Sequence, residues 1–175
     1  MDLDAFQIEN EAGGQPFIIG PDGRRMEGCL SISHREGKAF CAHTIQPGAR
    51  LGADLEKVEK RDPIFLEDYL GAIERSLALS FEGDRRDFLV TLAWSAKEAA
   101  FKALGTGLRM DTRKIEIKSG MEEWASADHE LQGWQKFELG GPGLPEPALS
   151  FWQQRGNFVM TLVVLGKEAP VLYEV

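Results

Sequence analysis

Cysteine is scarce in this chain: among 175 residues only Cys29 and Cys41 occur. That rules out a disulfide-stapled scaffold, and no Cys/His spacing of a zinc site accompanies them. The two cysteines fall on the arms of one hairpin, where the spacing sets Cys29 opposite Ala42 and Cys41 opposite Leu30. In that register the thiols point to opposite faces and cannot bridge. They read as buried free thiols in a reducing compartment. Long apolar runs are also missing; none approaches the roughly 20 residues needed to cross a bilayer. The start, Met1-Asp2-Leu3-Asp4, is acidic where a signal peptide is basic. A cytoplasmic address with no membrane partner is the resulting expectation. Positive charge is short as well. Twenty Lys and Arg face 28 Asp and Glu, for a net charge of −8. This argues against nucleic acid as a partner, while a local basic pocket can still take an anionic substrate.

What is present suits one ordinary domain. Residues 1–27 are weakly patterned, with a short strand at Phe17-Ile18-Ile19 closed by the turn Gly20-Pro21-Asp22-Gly23. Residues 29–33 and 38–44 read as strands joined by the loop His34-Arg35-Glu36-Gly37. A third strand covers 51–56, with Gly52, Asp54 and Glu56 on one face and Ala53 and Leu55 on the other. Asp62 caps a helix that opens at Pro63 and carries Leu66, Tyr69, Leu70, Ile73 and Leu77 at helical spacing. After the break Glu82-Gly83-Asp84, a second helix runs from about Arg86 to Leu104 and stops at Gly105. Phe88, Leu89, Leu92, Ala96, Ala99, Ala100 and Ala103 form its buried side; Trp94, Glu98 and Lys102 share the other. Strands follow near 114–118, 134–139, 148–153 and 158–165. The order predicts an α+β fold: strands, two central helices, strands.

The chemistry concentrates on the third strand and second helix. Asp54 and Glu56, two apart on a strand, face the same way. With Glu98 they offer hard oxygen ligands suited to Mg2+, in an open site with room for phosphate oxygens. Such a site neutralises charge as a phosphoryl group moves. Lys102, one turn beyond Glu98, reaches the same phosphate. Each piece also has a plainer reading. An Asp-x-Glu strand is usually a solvated face, and an i, i+4 Glu–Lys pair is worth only a few tenths of a kcal/mol. His34, placed in a loop, reads by itself as an exposed histidine. Ser33 and His34 are not a nucleophile and base, because neighbours on a strand point apart and no G-x-S-x-G elbow exists. Gly105-Thr106-Gly107 follows a helix, so it reads as a helix stop and not a phosphate loop.

Trp94-Ser95-Ala96-Lys97-Glu98-Ala99 with Lys102 resembles the W-x-x-K-E-A signature of the 4′-phosphopantetheinyl transferases. Gly52-Ala53-Asp54-Leu55-Glu56 resembles that family's G-[IV]-D-[IV]-E strand. Ser31-Ile32-Ser33-His34 resembles its S-x-S-H segment, and Gly14-Gln15-Pro16 its G-[KR]-P. The four occur in family order over roughly residues 14–118. The resemblance implies an antiparallel sheet packed against the two helices. It also implies a reaction: the serine of an apo acyl, peptidyl or polyketide carrier protein attacks coenzyme A, receives its phosphopantetheine and releases 3′,5′-ADP. By the same resemblance Asp54, Glu56 and Glu98 hold Mg2+, with Mn2+ able to replace it. Glu98, or a water on the metal, takes the serine proton. Lys102 steadies the phosphate, with Lys97 helping nearby. Ser33 and His34 bind the nucleotide end of coenzyme A, His34 beside the 3′-phosphate.

The chain departs from the family at Gln15, where a basic residue is common, and at Ala53, where a branched one is. Arg24, Arg25, Arg35 and Lys38 are candidate substitutes for the missing positive charge. Surfactin-type members carry two similar halves, whereas here only about fifty residues precede the Asp54 strand. Residues 1–50 therefore read as the remnant of a first half and 51–175 as the metal-binding core of a single domain. Self-association is expected to cover what a first half would bury; a domain of a larger synthase is the other explanation. Two alternative functions stand beside transfer. One is a non-catalytic module that holds coenzyme A or a carrier. The other is an acidic interaction domain.

Overall fold

Turn chemistry organises the first fifty residues. The computed structural model describes residues 3–120, 133–141, 143–145 and 148–166. Strands β1 (Gln7–Asn10) and β2 (Pro16–Ile19) form an antiparallel pair. The predicted turn at Gly20 is present, with Gly23 N–H donating to the Gly20 carbonyl. Strand β1 itself, fully exposed, was missed: its four residues carry no apolar alternation. Strands β3 (Cys29–Arg35) and β4 (Lys38–Thr44) pair through a two-residue turn. Glu36 and Gly37 both take positive φ, 47° and 74°, the mirror-image turn that matches strand twist. The expected four-residue loop is thus corrected to two, and Ser33 and His34 lie on the strand. The tighter turn shifts the register by two: Cys29 faces Thr44 and Cys41 faces Ile32. A shift of two returns every side chain to its own face, so the thiols still point apart. Both are free, but Cys29 is half-buried and Cys41 exposed, not buried as expected.

Strand β5 (Arg50–Lys57) leads into three helices. Asp62 caps α1 (Pro63–Tyr69) through the Ile64 N–H, as its sequence suggested. The single helix expected from Leu66 to Leu77 is in fact two, because Leu70 and Gly71 turn extended before α2 (Ala72–Leu79). Glu74 explains the break. Its carboxylate turns inward and accepts the Gly71 N–H at 2.9 Å and the Ile117 N–H at 2.9 Å. Glu116 fills the space where a Gly71 side chain would lie. Helix α3 (Gly83–Leu104) ends where Gly105 turns left-handed, φ 69°, as predicted.

Strands β6 (Glu116–Ser119), β7 (Gln135–Gly140), β8 (Ala148–Arg155) and β9 (Phe158–Leu165) complete an antiparallel sheet in the order β5-β9-β8-β7-β6. Helix α3 lies on one face of it, where Ala96, Ala99, Ala100 and Ala103 let the backbones close. A Cβ at Gly52 would stand 1.8 Å from the Ala99 carbonyl oxygen. The opposite face buries Leu51, Ala53, Phe151, Leu162 and Val164 against Phe40 and Ala42 of the β3–β4 hairpin. The class is α+β, with three α-helices among the described residues in place of the two expected. No helix among the described residues is long and apolar enough to cross a membrane.

Candidate active site

Strand alternation sends Asp54 and Glu56 toward α3 and Ala53 and Leu55 away from it. Asp54 is 3% exposed, a position a carboxylate tolerates only when its oxygens are fully engaged. Its Oδ1 accepts from Lys102 Nζ at 2.8 Å and from Ser33 Oγ at 2.9 Å. Its Oδ2 accepts from Ser95 Oγ at 2.8 Å. Lys102 Nζ also donates to the Ala53 carbonyl at 3.0 Å. One strand step away, Glu56 accepts from Trp94 Nε1 and from Arg61 Nη2, each at 3.3 Å. Arg61 also pairs with Glu59 at 3.1 Å and lies over the Phe65 ring.

Glu98 sits half-buried on α3 between Trp94 and Lys102. Burial pushes its carboxyl above the usual range; the Asp54 charge adds to this, Lys102 opposes it, and Glu56 adds again. Glu56 is raised chiefly by burial and then by Asp54, against Arg61, Arg35 and the Trp94 hydrogen bond. The Asp54 charge thus raises both Glu56 and Glu98, across β5 and α3. No group of three His, Cys, Asp or Glu among the described residues is close enough as it stands to hold a metal ion. The donor chemistry of Asp54, Glu56 and Glu98, three carboxylates whose repulsion a divalent cation would relieve, is of the kind Mg2+ takes. Lys102 and Arg61 supply the positive charge in this arrangement.

Ser33 and His34 part company. Ser33 faces Asp54, while His34, one residue on, is exposed. Lys97 is a correction. It follows from the 100° step between helix neighbours that Lys97 and Glu98 diverge. Lys97 is wholly enclosed, pairs with Glu74 at 2.8 Å, and donates to the carbonyls of Thr112 and Ile115. Burial lowers its ammonium pKa, and Glu74 works against that. It joins α3 to α2 and to the segment that precedes β6, and has no access to a ligand. Sequence reasoning assigned no role to Ser95, Thr161 or Arg61. For Thr161 a signal existed: it is the one hydroxyl in the apolar strand Phe158–Leu165.

A groove of about 330 Å³ opens beside the cluster, lined by Gln15, Arg25, Ser31, Phe101, Lys102 and Gly105 among others. Lys102 thus belongs to both groove and carboxylates. Arg25 pairs with Glu11 and lies 4.4 Å over the Phe17 ring. Of the four basic residues marked as substitutes, Arg25 is the one that lines this groove. Arg24 pairs with Asp22, Arg35 with Glu59, and Lys38 lies over Phe158.

Residues 50–163 match the family model described as the 4′-phosphopantetheinyl transferase superfamily. The 4′-phosphopantetheinyl transferase pptA of Paxillus involutus is 30% identical over 80% of this chain and 60% of its own length. A holo-[acyl-carrier-protein] synthase of Streptococcus pyogenes is 41% identical over 36% of this chain and 54% of its own length. The crystal structure of Thermotoga maritima holo-[acyl-carrier-protein] synthase superposes with a TM-score of 0.51 at 29% identity, covering 68% of this chain and 64% of that one. The chain spans less than two thirds of each of these relatives.

Proposed function

Because this chain belongs to the 4′-phosphopantetheinyl transferase superfamily, we propose that it moves phosphopantetheine from coenzyme A to a serine of an apo carrier protein. The observation that supports this most is Lys102, which pairs with Asp54 on β5, shares its helix side with Glu98 and lines the groove. Asp54, Glu56 and Glu98 would hold Mg2+, or Mn2+, whose charge neutralises the pyrophosphate. The groove takes coenzyme A with its pyrophosphate at the Lys102 end. Lys102 exchanges part of its contact with Asp54 for the phosphate that develops charge. Glu98, which reaches the site from α3, accepts the proton of the carrier serine. The serine oxygen bonds to the phosphorus next to pantetheine, and the bond to the second phosphate breaks. The electron pair leaves with 3′,5′-ADP. The 3′-phosphate then lies along the groove wall, where Arg25 is the available cation; His34, exposed on β3, is the second candidate.

The test is direct: incubate the protein with coenzyme A, Mg2+ and an apo carrier, then weigh the carrier. A gain of one phosphopantetheine supports the reading. No gain with several different carriers, while coenzyme A still binds, rejects transfer in favour of a non-catalytic coenzyme A-binding module. That second reading draws its support from Gln15, an uncharged residue in the groove where the family commonly has a basic one.

A further inference from the structure

We propose that Ser95 and Thr161 are positioning residues for Asp54, a pair of buried hydroxyls that fixes how its carboxylate is presented to the site. This rests on reading Asp54 as a metal ligand. Thr161 stands opposite Asp54 in the β5–β9 register, so both side chains leave the same face of the sheet. Ser95 precedes Glu98 by three residues and Lys102 by seven on α3, so it shares their side of the helix. Both hydroxyl residues are fully buried.

A count of hydrogens gives the network a direction. Each hydroxyl has one hydrogen to donate. The Ser95 hydroxyl lies 2.8 Å from Asp54 Oδ2, and a carboxylate only accepts, so the Ser95 hydrogen goes there. The Ser95 and Thr161 oxygens are 2.8 Å apart, and the hydrogen between them must then come from Thr161. Thr161 also stands 2.8 Å from the Ser95 carbonyl, which shares that hydrogen. Thr161 thereby occupies the lone pair of Ser95 and stops its hydroxyl from turning. Ser95 becomes a fixed donor, and its bond to the ionised carboxylate is of the stronger, charge-assisted kind. Ser95 thus anchors Oδ2 from the interior, while Oδ1 turns to Lys102 and Ser33, where a metal would take over the Lys102 contact. Partners of this kind behind a ligand commonly set metal affinity by 10–100-fold.

The experiment compares Thr161→Val, which keeps the volume and removes the hydroxyl, with Thr161→Ser, which keeps the hydroxyl and removes a methyl. Ser95→Ala and Ser95→Thr make the same comparison from the helix and serve if either Thr161 variant fails to fold. Mn2+ affinity is read from the electron paramagnetic resonance of the free ion, without turnover, and transfer is followed against Mn2+ concentration. Thr161→Val and Ser95→Ala should bind Mn2+ about tenfold more weakly or worse, and the Mn2+ required for half-maximal transfer should rise in step. The hydroxyl-retaining variants should stay close to wild type, with KM for the carrier unchanged. Equal losses in Thr161→Val and Thr161→Ser, or unchanged affinity in both, would overturn the inference and leave the hydroxyls as packing groups. A wild-type protein that binds no Mn2+ overturns it too. Mn2+ affinity that follows the hydroxyls in a protein that modifies no carrier would sink the transferase reading and leave this one standing.

Discussion

Glu98 carries opposite demands. Its burial beside Asp54 and Glu56 raises its proton affinity in the metal-free protein, which weakens the fold, while the proposed chemistry needs a carboxylate there. A carboxyl whose pKa is higher folded than unfolded binds more protons in the native state. Stability then falls as pH rises through the folded value and is fully regained below the unfolded one. The protein without metal should therefore gain stability as pH drops from neutral toward the raised carboxyls of Glu98 and Glu56, measured as the midpoint of thermal unfolding. Glu98→Gln should flatten that slope and raise the midpoint at neutral pH, while lowering transfer by about 10²–10⁴-fold. A variant that keeps wild-type turnover would remove Glu98 from the chemistry. Arg25 is tested by substrate: Arg25→Gln should raise KM for coenzyme A by roughly tenfold, the worth of one charge-assisted contact of about 1.5 kcal/mol. It should leave KM for 3′-dephospho-coenzyme A nearly unchanged. If His34→Ala, and not Arg25→Gln, erases the difference between the two substrates, the 3′-phosphate belongs to His34.

At the scale of elements, the contact between α3 and β5 places the site. Gly52 has no room for a side chain, since its Cβ would fall inside the van der Waals radius of the Ala99 carbonyl and 2.6 Å from the Ala103 nitrogen. Gly52→Ala should cost at least about 3 kcal/mol, the upper end of ordinary overpacking, because backbone on both sides must move. Any folded fraction should lose transfer, since α3 would carry Glu98 and Lys102 away from β5. Chemical denaturation and the carrier assay measure the two effects. The α3 and β5 patterns were legible because both are periodic: the face of Gly52, Asp54 and Glu56 and the row of alanines follow from spacing alone. The break between α1 and α2 was not. Leu66 to Leu77 keep helical spacing across it, and its cause is Glu74, whose partners Ile117 and Lys97 lie far away in sequence. Lys97 misled for the same reason, as a helix wheel cannot show that a charged residue has a buried partner waiting.

Across the whole molecule, the family motifs marked the carboxylates, and the structure adds what lies between them. The groove joins the β1–β2 region, the start of β3 and the end of α3. Its walls include Gly14-Gln15-Pro16 and Ser31-Ile32, which the motifs marked, but spacing alone does not show that these segments meet at the end of α3. The hairpin register has a practical consequence here. It turns the Cys29 thiol toward one side of the sheet and Cys41 toward the other, and Cys29 lines the groove while Cys41 stands outside it. The chain thus carries a built-in pair of probe and control. An occupant of the groove should slow alkylation of Cys29 and leave the rate at Cys41 unaltered, which peptide mass spectrometry resolves. The ratio of the two rates would count bound coenzyme A with no label added; equal slowing at both thiols would place the ligand elsewhere.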